Sequence, residues 1–318
     1  MKIVLPGGSG QVGTLLARAF HRDGHEVVVV GRYPAQAPWR VVTWDAASLG
    51  AWATEIDGAD VVVNLAGRSV NCRYHAANRK AILHSRVETT TLIGQAIAAA
   101  SRPPRVWLQA STATIYAHRF DAANDEATGI IGGAEPGAPE TWRFSIDVAT
   151  AWERAARKTP TPRTRQVLLR SAMTMSPDRG GIFDTLLRLV RFGLGGASGS
   201  GRQYVSWIHE HDFVRAIEWL IEFESIEGPV NLASPNPLPN AAFMRDLRSA
   251  WGISIGLPAT AWMLEIGAVF LKTETELILK SRRVVPGRLA ASGFEFRYPM
   301  WRDAAVELCE RWRKLRES

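Results

Sequence analysis

A glycine-rich segment near the N-terminus constrains the fold more than any other feature of the sequence. Its glycines follow the short apolar run 3–5 and lead into a helix-patterned stretch that begins near Gln11. A strand, a tight turn and a helix in this order need glycine for the turn, for close approach of the backbone to a pyrophosphate, and for packing of the helix on the strand. The helix N-terminus then faces the bound anion. A plain strand-to-helix turn would not need three glycines at this spacing, so the segment predicts a dinucleotide-binding loop. The predicted loop residues are Gly7, Gly10, Gln11, Val12 and Gly13.

The end of the second predicted strand indicates which dinucleotide is bound. NAD-selective sites hold the ribose with an acidic residue about 20 positions after the loop, whereas this chain has Arg32 there and no acid. A guanidinium suits the 2′-phosphate of NADP(H) through charge-assisted hydrogen bonds; the alternative is that Arg32 only ends the strand in solvent. Asp45, after the third strand, either accepts from the adenine amino group or forms an ordinary turn. The cofactor prediction is NADP(H).

Strand-length apolar runs alternate with helix-patterned segments through the first half of the chain. The runs are 3–5, 27–30, 40–44, 61–65, 106–110 and 167–169, and the helices are predicted over 11–22, 76–99 and 138–157. This alternation predicts an α/β fold with a doubly wound parallel Rossmann sheet. After about residue 180, short elements and loops rich in Gly, Ser and Pro predict a smaller C-terminal substrate-side α/β unit. The predicted domains are an NADP-binding domain over 1–180, with a strand and a helix contributed from about 203–233, and the smaller unit over 181–318.

The amino-acid composition limits which partners the protein is expected to bind and in which compartment it is expected to lie. The net charge of +7 comes from Lys and Arg scattered among acids, without the aromatic-interleaved basic stripe of a nucleic-acid-binding protein. Cys72 and Cys309 fit no metal-ligand spacing and allow one disulfide at most, so no metal site and a cytoplasmic location are predicted. The first strand begins near Lys2, so no secretory signal is expected. The longest apolar run, 260–271, is interrupted by Glu265 and is shorter than the roughly 20 residues of a membrane span.

Motifs along most of the chain extend the argument to a family. They are Asn64-Leu65-Ala66-Gly67, Ser111-Thr112-Ala113-Thr114-Ile115-Tyr116, Trp152-Glu153, Asp212 and the segments 199–209, 228–231, 234–237 and 285–294. With these, the chain resembles the extended short-chain dehydrogenase/reductases of the NAD-dependent epimerase/dehydratase family. Within them it is similar to the atypical "epimerase family protein" subgroup, which has a C-terminal domain of unknown function. The resemblance implies that Leu65, Ala66 and Gly67 contact the cofactor.

The acid–base pair of the wider superfamily is missing. The resemblance implies Tyr-x-x-x-Lys on the helix after the fifth strand, one turn apart, with both side chains directed at the cofactor. Depending on register, the corresponding residues here are Phe144 with Val148 or Ser145 with Ala149. The absence does not depend on alignment, because no tyrosine lies between Tyr116 and Tyr204 and no lysine between Lys80 and Lys158.

Two hydroxyl residues after the fifth strand are the remaining catalytic candidates. Thr112 occupies the place of the superfamily's catalytic hydroxyl residue and is predicted to donate to a carbonyl oxygen near C4 of the nicotinamide. Tyr116 is either a substitute acid or a wall of the substrate pocket. The wall is preferred, because no nearby lysine lowers its pKa from about 10. His118 is a further candidate that titrates near neutrality, or a solvated loop histidine.

Further candidates lie on the substrate side and on the long helix. Arg202 is predicted to bind an anionic substrate group, and His209 is either a second substrate-side residue or a hydrogen-bonded structural one. Arg86 lies in a segment resembling a subgroup motif and is predicted to contact the cofactor. Either one of Arg86 and Lys80 contacts the cofactor or the substrate, or both residues belong to a solvated face of the helix.

Two functions follow from this pattern. The first is an NADP-dependent oxidoreductase or epimerase-like enzyme that acts on a small, anionic carbonyl or sugar-derived substrate. The alternative, favoured by the missing pair, is a non-catalytic NADP(H)-binding sensor or scaffold protein. The expected partner is a small molecule, with no nucleic acid and no membrane, and both a monomer and a homodimer remain open.

Overall fold

The computed structural model describes residues 1–135, 139–260, 263 and 274–317. Six of its strands lie where the six apolar runs predict them. The strands of the central sheet are β1 (Lys2–Pro6), β2 (Glu26–Gly31), β3 (Arg40–Thr43), β4 (Val61–Asn64), β5 (Val106–Thr112), β6 (Arg165–Ser171) and β10 (Gly228–Leu232). Short strands outside this sheet are β7 (Met173–Met175), β8 (Tyr204–Val205), β9 (Trp207–His209) and β11 (Leu238–Pro239).

The central sheet is parallel and doubly wound. Its order in the described chain is β10-β6-β5-β4-β1-β2-β3, and each neighbouring pair runs parallel. The chain winds outward from β1 to β3 and then returns to place β4 on the other side of β1. Such a reversal opens a crevice at the carboxyl ends of the strands, where ligands bind in open α/β sheets. The predicted α/β fold with a doubly wound parallel sheet is confirmed.

The helices connect the strands and cover both faces of the sheet. They are α1 (Gln11–Arg22), α2 (Ala76–Ala99), α3 (Glu140–Lys158), α4 (Ile182–Arg191), α5 (Glu210–Glu222), α6 (Asn240–Trp251), α7 (Glu276–Leu279), α8 (Gly287–Ala291) and α9 (Trp301–Glu317). The predicted start of the third helix, residue 138, lies outside the described residues. The helix itself begins at Glu140 and ends one residue after the prediction.

Two apolar layers hold these helices against the sheet. On one face, Leu16 and Phe20 of α1 pack with Phe213 and Ile217 of α5. On the other face, Ile93 and other side chains of α2 pack with the end of α3 and with three buried tryptophans. Because both faces are covered, the strands read as nearly continuous Val, Ile and Leu runs rather than as alternating patterns.

A third apolar cluster forms the C-terminal part of the molecule. It joins α4, α6 and α9, and its centre is a stack of Phe243 on Trp301 with ring centroids 4.0 Å apart. Trp207 and Trp312 are buried in the same cluster. The segment 203–233, assigned in part to the nucleotide domain, supplies β10 to the sheet and α5 to its apolar layer. The boundary itself stays a prediction.

No helix in the described ranges is long and apolar enough to span a membrane. The apolar run 260–271 lies largely outside those ranges.

A buried ion pair ties α3 to the sheet. Arg170 of β6 donates from Nε and Nη2 to the two carboxylate oxygens of Glu153, at 2.8 and 3.0 Å. Glu153 is 3% exposed and also accepts from the Ser111 hydroxyl at 2.8 Å. Because a buried charge without its partner is costly, this pair fixes where α3 lies against the end of β5.

We expect Glu153→Gln to lower the free energy of unfolding by about 3 kcal/mol, because it leaves the Arg170 guanidinium buried beside a neutral amide. Urea denaturation measures the change. Glu140→Gln on the same helix is the control: its ion pair with Arg79 is exposed, so a loss below about 1 kcal/mol is expected. Equal losses in the two variants would contradict the assignment.

Candidate cofactor and substrate site

The phosphate loop is held by two close backbone contacts. A Cβ on Gly13 would lie 2.4 Å from Gly8 Cα, so α1 rests directly on the loop. Gly7 has a φ of +75°, and a Cβ there would lie 2.5 Å from the backbone nitrogen of Ala66. Neither position accepts a side chain without backbone movement, which explains why glycine is needed at both.

The loop borders an open cleft of about 450 Å³ at the carboxyl ends of the first four strands, here called the nucleotide cleft. It is lined by Gly7, Ser9, Gly10, Gly31, Arg32, Trp44, Asp45, Ala46, Leu65, Ala66, Gly67, Arg68, Ser69, Ser85 and Thr89. Most of the predicted cofactor residues therefore meet at one place. Of the others, Gln11 directs its side chain to Gly181, Val12 packs against the core and Gly13 supports the loop.

Arg32 is exposed at the mouth of the nucleotide cleft. Its guanidinium lies 5.8 Å from the ring centroid of Tyr33, and no described carboxylate lies within ion-pairing distance of it. Arg68, which sequence reasoning missed, adds a second guanidinium and donates to Asn78 Oδ1 at 2.8 Å. The loop after β4 that carries Arg68 is polar and irregular, so its approach to the cleft had no sequence signal.

Asp45 forms a turn at the rim of the nucleotide cleft. Its carboxylate accepts from the Ser48 hydroxyl at 2.6 Å and from the backbone N–H groups of Ala47 and Ser48. These hydrogen bonds, with that from the Ser48 side chain the largest, lower the pKa of Asp45 to about 2. The turn-forming alternative describes this side chain, and contact with an adenine stays a prediction.

A second cavity of about 250 Å³, here called the apolar cavity, lies past the end of β5 between α2 and α3. It is lined by Val70, Tyr74, Ile82, Arg86, Ser111, Thr112, Thr114, Phe144, Ser145, Val148, Ala149 and Trp152. All four residues at the two possible registers of the missing pair therefore line it. Thr112 Oγ1 accepts from Thr114 N at 3.2 Å, so the Thr112 hydroxyl proton is left to donate.

Tyr74 lies beside α3, the helix that lacks the superfamily's tyrosine, and also lines the apolar cavity. Its ring packs edge-on against Phe144, with centroids 5.1 Å apart. Burial and, next, the Glu276 carboxylate raise the pKa of Tyr74 to about 12, while the Ser145 hydroxyl opposes them. Our sequence argument missed Tyr74 because it considered only tyrosines after the fifth strand. Its place directly before the predicted helix 76–99 was the available signal.

The C-terminal segment 274–282 contacts residues that line the apolar cavity. Glu276 accepts a short hydrogen bond from Ser145, Lys280 Nζ donates to Thr114 O at 2.9 Å, and Arg282 Nε donates to Thr114 Oγ1 at 3.1 Å. Burial raises the pKa of Glu276 and lowers that of Lys280 to about 8. These contacts span more than 130 residues of sequence, so no local pattern predicts them.

The structure corrects the site assignment of Tyr116. The side chain is 2% exposed and lines neither cavity. Its hydroxyl donates to Asn231 Oδ1 and accepts from Arg170 Nη1, both at 2.9 Å. A short 3-10 turn over Ala113–Ile115 carries the ring beneath α3, so Tyr116 belongs to the buried polar network and is neither acid nor pocket wall.

The histidine candidates also have structural contacts. His209 is fully buried: Nδ1 accepts from His211 N at 3.1 Å, and Nε2 lies 2.8 Å from Glu307 Oε2. These contacts agree with the structural alternative for His209, which lines neither cavity. His118 Nδ1 accepts from Ser281 N at 2.8 Å, and burial lowers its pKa.

The basic residues predicted as site candidates lie in different places. Arg86 lines the apolar cavity rather than the nucleotide cleft, although it touches Gly67 at the boundary between the two. Lys80 and Arg202 are exposed and line neither cavity. An anion-binding role for Arg202 thus has no support in these contacts.

Comparison with known proteins places this geometry in a family. Residues 3–135 match the model of the NAD dependent epimerase/dehydratase family, and residues 259–308 match a domain of unknown function, DUF1731. The human epimerase family protein SDR39U1 is 32% identical over 97% of this chain and 99% of its own length. The chain belongs to the NAD dependent epimerase/dehydratase family.

Solved structures agree with that membership. The human SDR39U1 structure, determined with NADPH, has a TM-score of 0.83 and 32% identity and covers 98% of this chain and 99% of its own. A nucleoside-diphosphate sugar epimerase from Corynebacterium glutamicum has a TM-score of 0.75 and 25% identity, with all of this chain covered and 62% of that one. The predicted resemblance to the epimerase family with the additional C-terminal domain is confirmed.

We expect Gly13→Ala to lower the free energy of unfolding by about 1–3 kcal/mol, because the new methyl group meets the backbone of Gly8. Urea denaturation measures it. Gly50→Ala is the matched control, since a Cβ there would meet only Trp52 Cδ1 at 3.7 Å. If Gly13→Ala were as stable as the wild type, α1 would not rest on the loop as described.

Proposed function

We propose that this family member is an NADP(H)-dependent oxidoreductase or epimerase-like enzyme that acts on a small carbonyl or sugar-derived substrate. The observation that carries the proposal is the exposed Arg32 guanidinium in a cleft that also contains a glycine phosphate loop. The NADPH bound by human SDR39U1 supports the choice of nucleotide. The chain's Cys72 and Cys309 are free thiols, which supports the proposed cytoplasmic location.

The residues of the nucleotide cleft fit NADP(H). Its donors are backbone N–H groups of the loop and the guanidinium groups of Arg32 and Arg68, whereas its one carboxylate, Asp45, is engaged in its own turn. This donor set suits a ligand with several phosphates. When bound, the nicotinamide exchanges a hydride with the substrate carbon.

Hydroxyl groups in the apolar cavity handle the substrate oxygen in this proposal. Thr112 has a proton to donate to a carbonyl oxygen, and Tyr74 carries a phenol that stays protonated at neutral pH. In reduction, Thr112 orients the carbonyl and Tyr74 gives its proton to the oxygen as charge develops there. The apolar walls exclude water, which strengthens both hydrogen bonds.

A second function, an NADP(H)-binding sensor or scaffold, is favoured by the absence of the Tyr-x-x-x-Lys pair. Hydride exchange separates the two proposals. If the protein is an enzyme, it should oxidise NADPH in the presence of at least one compound from a broad panel of aldehydes and ketones. The sensor requires tight NADPH binding without exchange, together with a shape or association that differs between NADP⁺ and NADPH.

We expect Arg32→Ala to weaken NADPH binding by roughly 10–100-fold and NADH binding by less than about threefold, because only NADPH has a 2′-phosphate for the guanidinium. Titration of nicotinamide fluorescence measures both affinities. Arg245→Ala removes an exposed arginine paired with Asp246 and serves as the control. Equal losses for the two nucleotides would contradict the role of Arg32.

We expect Tyr74→Phe to lower kcat for carbonyl reduction by about 100-fold or more while leaving NADPH affinity unchanged, because it removes only the proton donor. The pKa near 12 means the phenol stays protonated, so kcat should not fall between roughly pH 6 and 9 through this group. Tyr204→Phe, which removes a phenol that lines neither cavity, is the control. Undiminished turnover of Tyr74→Phe would assign the proton transfer elsewhere.

A further inference from the structure

Arg86 carries its charge into the wall of the apolar cavity and is held there in a fixed orientation. Its guanidinium stacks over Trp152, 4.9 Å from the ring centroid. Nη1 donates to the backbone carbonyls of Arg68 at 3.0 Å and Ile82 at 3.2 Å. Trp152 is itself fixed, because its Nε1 donates to Thr90 Oγ1 at 3.0 Å. The guanidinium plane is therefore preorganised rather than free to rotate into solvent.

The charge of Arg86 has no acidic partner within the described part of the chain. No described carboxylate lies within 4.0 Å of its guanidinium, and neither Nε nor Nη2 has a hydrogen-bond acceptor among the described residues. Burial lowers the pKa of Arg86 to about 10, so it is charged at neutral pH. Arg170, by contrast, meets both oxygens of a glutamate. Arg86 is half-buried, and its Nε and Nη2 donors, held in a fixed orientation, are suited to an anionic ligand.

The other described residues that line the cavity are neutral, and most of them are apolar. Phe144, Val148 and Ile82 provide a surface for a hydrocarbon group, while Thr112 provides a hydroxyl donor at the end of β5. One guanidinium edge matches the two oxygens of one carboxylate. A phosphate would bring up to two charges and a third oxygen, for which these walls offer no second cation.

We propose that Arg86 binds a carboxylate group of the substrate, so that the apolar cavity takes a small organic acid with a hydrocarbon part and a reactive carbonyl or hydroxyl group. The inference deepens the proposed function and rests on it for the identification of this ligand as the substrate. It makes Arg86 a specificity-determining residue. It also moves the anionic contact from Arg202, predicted from the sequence, to a residue inside the cavity.

The test compares benzoate with benzamide, two ligands of nearly equal shape that differ in charge. Their affinities are measured by calorimetry with the full chain saturated with NADP⁺, for the wild type, Arg86→Gln, Arg86→Lys and Lys80→Gln. Lys80→Gln removes one exposed positive charge from the same helix outside the cavity. It therefore controls for the long-range electrostatic effect of losing a positive charge. Urea denaturation of each variant shows whether the fold is kept.

We expect the wild type and Lys80→Gln to bind benzoate roughly 10–100-fold more tightly than benzamide, since charge-assisted bidentate pairs are strong. Arg86→Gln should lose this preference with its benzamide affinity unchanged, and Arg86→Lys should keep part of it. Equal affinity of the wild type for the two probes, or a benzoate preference that survives in folded Arg86→Gln, would overturn the proposal.

Two further measurements separate this inference from the proposed function. NADPH affinity is determined for wild type and Arg86→Gln, and a loss confined to NADPH would make Arg86 a cofactor contact instead. The probe titrations are repeated without nucleotide. If the wild type fails to bind NADPH but still prefers benzoate through Arg86, the proposed function fails and the carboxylate site stands.

Discussion

The contact between Gly13 and Gly8 determines where everything else in the site lies. Because no Cβ fits between them, α1 begins directly above the phosphate loop and points its N-terminus into the cleft. The same loop touches the backbone of Ala66 through Gly7, so the end of β4 is brought beside the end of β1. These two close approaches of backbones thus set the spacing between the two walls of the nucleotide cleft.

Features that depend on local sequence were predicted well, for a physical reason. A sheet covered on both faces needs apolar residues at nearly every strand position, so runs such as 27–30 and 61–65 mark the strands directly. The glycine loop could also be predicted from the sequence, because the close backbone contacts of the loop require glycine at those positions. Arg32 and Asp45 both line the cleft, since each follows a parallel strand and the carboxyl ends of such strands meet at one edge; their contacts with a cofactor stay predictions.

Side chains whose surroundings come from distant segments were not predictable in this way. Tyr116 follows β5 just as a site residue would, yet Arg170 and Asn231 hold its hydroxyl inside the core. Tyr74 reaches the helix position where the superfamily has its tyrosine, but it does so from the loop before α2. Its backbone N–H is fixed by Glu274, 200 residues away along the chain. The pattern of α3 itself therefore could not indicate that Tyr74 lies beside it.

The contacts of segment 274–282 with Tyr74 and Ser145 have a consequence for how the protein folds during its synthesis. Every residue of the nucleotide cleft lies within the first 89 positions, and the sheet gains its last strand at Gly228–Leu232. The contacts of Glu274 with Tyr74 and of Glu276 with Ser145 can form only after residue 276 has emerged. Since N-terminal regions generally fold first during synthesis, the residues of the nucleotide cleft can be in place before these C-terminal contacts hold Tyr74 and Ser145. The two cavities of the candidate site are therefore completed one after the other.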